Sequence, residues 1–165
     1  MATTVLISGC GVVGPTLAHW LRRKGFAPTV VERAPEPRSG GHRIELSDPA
    51  VEALRRTGVL DRVRDLGDTL PNVEIYPFSG ERALRMSVPA DRAGLAIRRG
   101  ELCATLLDRA SEDAEYVYDD SITALHQDPD GVDVEFERGP SRRFDLVIGA
   151  DGLHSNVRSL AFGGT

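Results

Sequence analysis

At 165 residues the chain is long enough for one domain with a real core and too short for two full-sized ones. Hydrophobic residues make up 41% and charged residues 27%, the balance of an ordinary globular protein, and no run approaches the roughly 20 apolar residues of a membrane span. A net charge of −5 with scattered basic residues argues against a nucleic-acid surface. The N-terminus lacks the charged-then-apolar pattern of a signal peptide, so a cytoplasmic protein with no membrane partner is expected. All basic residues but Lys24 are arginine, which fits a GC-rich genome. Cys10 and Cys103 form no metal-ligand or redox spacing, and each reads as a small buried residue. A thiol in a glycine loop, as at Cys10, is also open to oxidation.

In chain order, a strand over about Thr3 to Ser8 runs into Gly9-Cys10-Gly11-Val12-Val13-Gly14, a G-x-G-x-x-G sequence. A helix from about Val12 to Lys24 follows, with Pro15 in its first turn and Gly25 closing it. Leu17, Ala18 and Leu21 are spaced to face a sheet, whereas His19 and Trp20 read as packing or surface residues without a chemical partner. A second strand, about Pro28 to Glu32, ends in an acid 18 residues after Gly14. Strand, glycine turn, helix, strand and acid at that distance together describe the opening βαβ unit of a dinucleotide-binding fold. Gly9 permits the tight turn, Gly11 lets the main chain approach a pyrophosphate, Gly14 lets the helix pack closely, and Glu32 can accept from two ribose hydroxyls. A glycine-rich turn that binds nothing is the competing reading of the same residues.

Arg33 to Gly41 is a Pro- and Gly-rich loop, and a short strand from His42 to Leu46 leads to Ser47-Asp48-Pro49, a helix start with Pro in the first turn. Helices are predicted over Ala50 to Thr57, ended by Gly58, and over Leu60 to Leu66. Asn72 to Phe78 and Arg82 to Val88 form a hairpin, Asp91 to Gly94 a loop, and Ile97 to Leu102 the opening of a helix buried through Leu102, Leu106 and Leu107. Glu115 to Tyr118 is a strand, and Ser121 to Gln127 with Val132 to Glu137 a second hairpin. Phe144 to Ile148 is an apolar run of the kind buried on both faces of a parallel sheet. It breaks at Gly149-Ala150-Asp151-Gly152, and Ser155 can cap a last helix, Asn156 to Phe162. His126 and His154 read as exposed, and no Ser-His-Asp, Cys-His or metal-ligand constellation is present.

Three stretches are more specific together than any is alone: Gly14-Pro15, the Ile97-x-Arg99-x-x-Leu102 segment, and Asp145 through Arg158 with Asp151-Gly152 at its centre. Their order resembles the N-terminal part of FAD-dependent aromatic hydroxylases of the para-hydroxybenzoate hydroxylase type, a group that includes polyketide-tailoring and tetracycline-modifying monooxygenases. The resemblance implies an α/β, Rossmann-like FAD-binding domain with a mainly parallel sheet and an added antiparallel hairpin or meander. It implies FAD as cofactor and NAD(P)H as co-substrate, with one oxygen atom inserted into an aromatic or polyketide substrate. Carried over, Gly9, Gly11 and Gly14 hold the pyrophosphate, Glu32 the adenosine ribose, and Arg33 lies beside the adenosine. Arg99 reaches the phosphate region, Arg43 approaches the flavin or nicotinamide, and Asp151 and Gly152 serve both FAD and nicotinamide, their turn supported by Ser155 and Arg158.

Members of that family run to more than twice this length, with a substrate-covering sheet and a late Gly-Asp motif after a region like this one. The single domain expected over residues 1–165 lacks both. Three readings stay open: the FAD-binding part of a monooxygenase, inactive alone; a non-catalytic nucleotide-binding or assembly module that needs a second chain or self-association; and an NAD-dependent dehydrogenase, which shares only the first motif.

Overall fold

The computed structural model describes residues 2–37, 40–70, 72–75, 84–87 and 94–163. The chain divides into two compact units, one of residues 1–39 and 103–165 and the other of residues 40–102.

The first unit is built on a parallel sheet of β1 (Thr4–Ser8), β2 (Ala27–Glu32), β8 (Glu115–Tyr118) and β12 (Leu146–Gly149), in the order β12-β1-β2-β8. β1 is central, so Val5, Leu6 and Ile7 are fully buried, which is why it reads as an unbroken apolar run. On one face α1 (Val13–Arg23) packs through Ala18, Leu17 and Leu21 onto Val5, Ile7 and Val30. On the other, Leu6 and Val31 meet Ile122, Val134, Phe144 and Val157, brought by an antiparallel sheet and by α5 (Asn156–Phe162). That sheet joins β9 (Ile122–Asp128), β10 (Gly131–Phe136) and β11 (Arg142–Phe144) in the order β11-β10-β9. This is the mixed architecture expected, a parallel sheet with an added antiparallel meander.

The second unit holds β3 (Arg43–Leu46), α2 (Asp48–Thr57), α3 (Leu60–Leu66), β4 (Asp68–Leu70) and β7 (Gly94–Arg98), with β7 between β3 and β4. β5 (Asn72–Ile75) and β6 (Leu84–Ser87) pair antiparallel, and the expected turn at Ser79-Gly80-Glu81 lies outside the described residues. α4 (Arg99–Ala110) begins in this unit and continues into the other. Among the described residues no helix is long and apolar enough to cross a membrane.

Four expectations are corrected. The run Phe144 to Ile148 is two strands: β11 pairs antiparallel with β10, and β12 pairs parallel with β1. Asp145 makes the switch, its carboxylate accepting from Thr4 N at 2.6 Å and Thr4 Oγ1 at 2.7 Å. β12 has β1 as its one partner among the described strands, and Leu146 is 48% exposed, so the run is not buried on both faces. Ile97 and Arg98 end β7 instead of opening a helix, because β3 holds them in register, Ile44 opposite Ile97 and Arg43 opposite Arg98. Gly94 is likewise strand, not loop. Finally, His19 is a packing residue, one of the two readings offered for it, but it has a partner: its Nδ1 lies 2.6 Å from Asp113 Oδ2, which ties α1 to the turn before β8.

Candidate functional site

The carboxyl edge of a parallel sheet is where the chain leaves each strand and main-chain groups become available to a ligand. β1 leaves into the glycine loop. Gly9 has φ +105, and a Cβ there would sit 2.8 Å from the Ala150 carbonyl oxygen, so only glycine fits both the conformation and the space. At Gly14 a Cβ would collide with the Gly9 carbonyl oxygen. The first turn of α1 is therefore pressed onto the loop that precedes it. No side chain caps α1, and no acid stands in its first turn, so its leading N–H groups and dipole face the loop without a capping side chain. Gly11 is half-buried between these two contacts.

Glu32, the last residue of β2, reaches the same place. Its Oε2 accepts from Cys10 N at 2.8 Å and its Oε1 from Ala34 N at 3.0 Å. Each carboxylate oxygen keeps a free lone pair, which is what the two hydroxyls of a ribose require. Sequence spacing points to Glu32 as a ribose acceptor but not to its bond with the loop. Arg33 follows at the surface.

Tyr118 was not singled out by the sequence. It ends β8 in register with Glu32, and its hydroxyl lies 3.5 Å from Cys10 Sγ. Burial pushes the Cys10 thiol up despite the bond from Tyr118, with the Glu32 carboxylate adding to the effect, so the thiol stays protonated at neutral pH. That protonation makes Cys10 a poor nucleophile. The available signal was that Glu32 and Tyr118 each close a strand of one parallel sheet.

Asp151 stands after β12, beside Gly9. Its Oδ1 accepts from Ser155 Oγ at 2.5 Å, and its Oδ2 from Asn156 N at 2.8 Å, Val157 N at 3.1 Å and Ser8 Oγ at 3.4 Å. Burial would push this carboxyl up, but those hydrogen bonds outweigh it and hold the pKa below the usual carboxylate value. Ser155 Oγ in turn accepts from Arg158 N, and Arg158 Nη2 donates to the Leu153 carbonyl. Gly152 supplies the turn with φ +83. The carboxylate is thus committed to α5 and β1, and it fixes the turn that lies against Gly9.

Gly9, Gly11, Gly14, Glu32, Asp151 and Gly152 are gathered at one sheet edge in the first unit. Arg43 and Arg99 belong to the second unit. The Arg43 guanidinium is paired with the Asp68 carboxylate. Arg99 opens α4 as an exposed side chain, its amide donating to the His42 carbonyl at 3.1 Å, and a Cβ on Gly41 would touch its own Cβ at 3.5 Å. Among the described residues no group of three or more His, Cys, Asp or Glu side chains could hold a metal ion.

A family model described as FAD binding domain matches residues 2–162. The chain belongs to the FAD binding domain family. An uncharacterized protein of Mycobacterium tuberculosis (strain H37Rv) is 39% identical over 166 residues, covering 97% of this chain and 45% of that protein. The 2-heptyl-3-hydroxy-4(1H)-quinolone synthase of Pseudomonas aeruginosa (strain UCBPP-PA14) is 37% identical over 163 residues, covering 94% of this chain and 41% of that one. Among solved structures, tetracycline destructase Tet(55) matches at 33% identity with a TM-score of 0.81, covering 98% of this chain and 41% of the destructase. The chain therefore spans less than half the length of these relatives. The glycine cradle, the uncapped α1 and the half-engaged Glu32 fit the ADP portion of the family's cofactor.

Proposed function

We propose that this chain is the FAD-binding portion of an NAD(P)H-dependent monooxygenase acting on an aromatic or polyketide compound. One observation carries the reading: Glu32 holds the middle of the glycine loop through Cys10 N while keeping a lone pair on each oxygen for a ribose diol. The α1 N-terminus, Gly9 and Gly14 receive the pyrophosphate, and Gly11 lets it approach the main chain. Asp151 acts through the turn it fixes against Gly9, and Gly152 gives that turn its left-handed residue. Arg33 flanks the adenosine, while Arg99 and Arg43 serve the phosphate and ring portions once the cofactor is in place.

When bound, FAD supplies the redox and oxygen-activating chemistry, and the protein's task is to bind, orient and exclude water. An aromatic substrate is supported by the relative whose name places a hydroxyl on a quinolone ring, and a polyketide by the likeness to a tetracycline destructase. Turnover belongs to the longer architecture of the relatives. Here β12, which has β1 as its one partner among the described strands, and the exposed Leu146, Leu160 and Phe162 form surface that a further polypeptide or a second copy covers.

Titration of the purified chain with FAD, ADP and NAD, followed by flavin fluorescence and calorimetry, tests the reading. Saturable binding of FAD and ADP is expected. Binding of NAD without FAD would replace it with the dehydrogenase reading, and binding of neither FAD nor ADP would overturn it in favour of an assembly module.

A further inference from the structure

Tyr118 stands at the sheet edge where Glu32 meets the glycine loop. In the sheet order β1-β2-β8, the phenol leaves the end of β8 and reaches Cys10 in the loop after β1, 3.5 Å from its sulfur, so the side chain crosses the end of β2. Glu32 is the residue at that end, in register with Tyr118 and on the same face of the sheet. The ring is held from behind. Tyr116 stacks on it with centroids 6.5 Å apart and planes 15° from parallel, and the Tyr116 hydroxyl donates to the Ala110 carbonyl at 3.0 Å. Tyr118 itself remains only half-buried.

We propose that Tyr118 is a recognition residue for the adenosine half of the dinucleotide, its ring walling the ribose site beside Glu32 and its hydroxyl tying that wall to the phosphate loop through Cys10. The inference rests on the proposed function. A carboxylate that accepts from a ribose diol binds more strongly when a flat apolar surface keeps water from competing for it. The hydroxyl contact joins two parts of the site that the sequence separates by more than a hundred residues. Closure on adenosine and shaping of the phosphate loop thereby become one event.

Calorimetric titration of the chain with ADP and FAD tests the inference. Tyr118→Ala should bind both ligands about tenfold more weakly, the size of a lost aromatic contact. Tyr118→Phe keeps the ring and should stay within about threefold of the parent, the size of one neutral hydrogen bond. Cys10→Ala should match Tyr118→Phe, and the double variant should be no weaker than either single one. Affinity unchanged in Tyr118→Ala overturns the proposal, as does Tyr118→Phe falling as far as Tyr118→Ala. If Tyr118→Ala does not fold, Tyr118→Leu replaces it in the same comparison. Failure of the parent chain itself to bind ADP and FAD would instead sink the proposed function.

Discussion

The main-chain amide of Cys10 donates to Glu32 Oε2 at 2.8 Å, so the acid at the end of β2 shapes the glycine loop as well as serving the proposed ribose site. Glu32→Ala should therefore weaken ADP and FAD binding by roughly 1.5–3 kcal/mol, the usual range for hydrogen bonds to a charged group. Glu32→Gln should lose less, because its amide oxygen can still accept from one main-chain N–H. Unchanged FAD affinity in the alanine variant would show that the ribose is held elsewhere.

Gly14 is constrained by space. With an added Cβ driven into the Gly9 carbonyl oxygen, Gly14→Ala must move α1 away from the loop. The expected cost is about 3 kcal/mol, the upper range for overpacking, and urea unfolding should show it as a lower midpoint with an unchanged slope. Gly25→Ala is the control. Unlike Gly14 it has positive φ, +86, and nothing lies within 4 Å of its added methyl, so its cost should be about 1 kcal/mol.

Asp120 sets an acid limit on stability. It is buried, and its carboxylate accepts from Ser121 N at 2.8 Å, Arg138 N at 3.0 Å and Gly139 N at 2.9 Å. Burial pushes its pKa up, but these main-chain donors prevail and hold it below the usual value. A carboxyl whose folded pKa is depressed contributes its stability in full above the unfolded value of about 3.9, and loses it as pH falls through the lower folded value. Asp120→Asn should remove about 2 kcal/mol at neutral pH and flatten the decline of melting temperature below about pH 4. A decline as steep as the parent's would assign acid sensitivity to other groups.

The β12 edge bears on association. Leu146 is 48% exposed, Leu160 37% and Phe162 84%. Light scattering should give a mass that rises with protein concentration, and Leu146→Lys with Phe162→Asp should suppress the rise. A constant monomer mass over a wide concentration range would count against a covered edge.

The parts legible in the sequence are those written in local spacing. The glycine loop, the Glu32 distance, the Glu115–Tyr118 strand and the Ser155 cap all follow from residues within a few turns of one another, and the structure has them where the pattern put them. What was missed depends on partners remote in the chain. His19 carries no local sign of Asp113, which lies 94 residues away. Hydrophobicity alone could not divide Phe144 from Leu146, since the division is made by Thr4 bonding to Asp145 across 141 residues. The same holds at the site. Glu32 is visible from its spacing, but Tyr118 acquires meaning only once β8 is known to lie against β2.

The Thr4–Asp145 latch also sets the order in which the molecule can assemble. β1 is central in its sheet, yet one of its neighbours follows it directly and the other comes only after β2, β8 and the β9–β11 sheet have been made. During synthesis β1 and β2 can pair soon after they emerge, but the other edge of β1 must wait for β12. A pairing of such long sequence separation is slow to close, and until it closes an apolar strand presents an open edge. The nascent chain is consequently most exposed to misassociation between the completion of β2 and the arrival of residues 146–149, the interval in which a chaperone would have the most to protect.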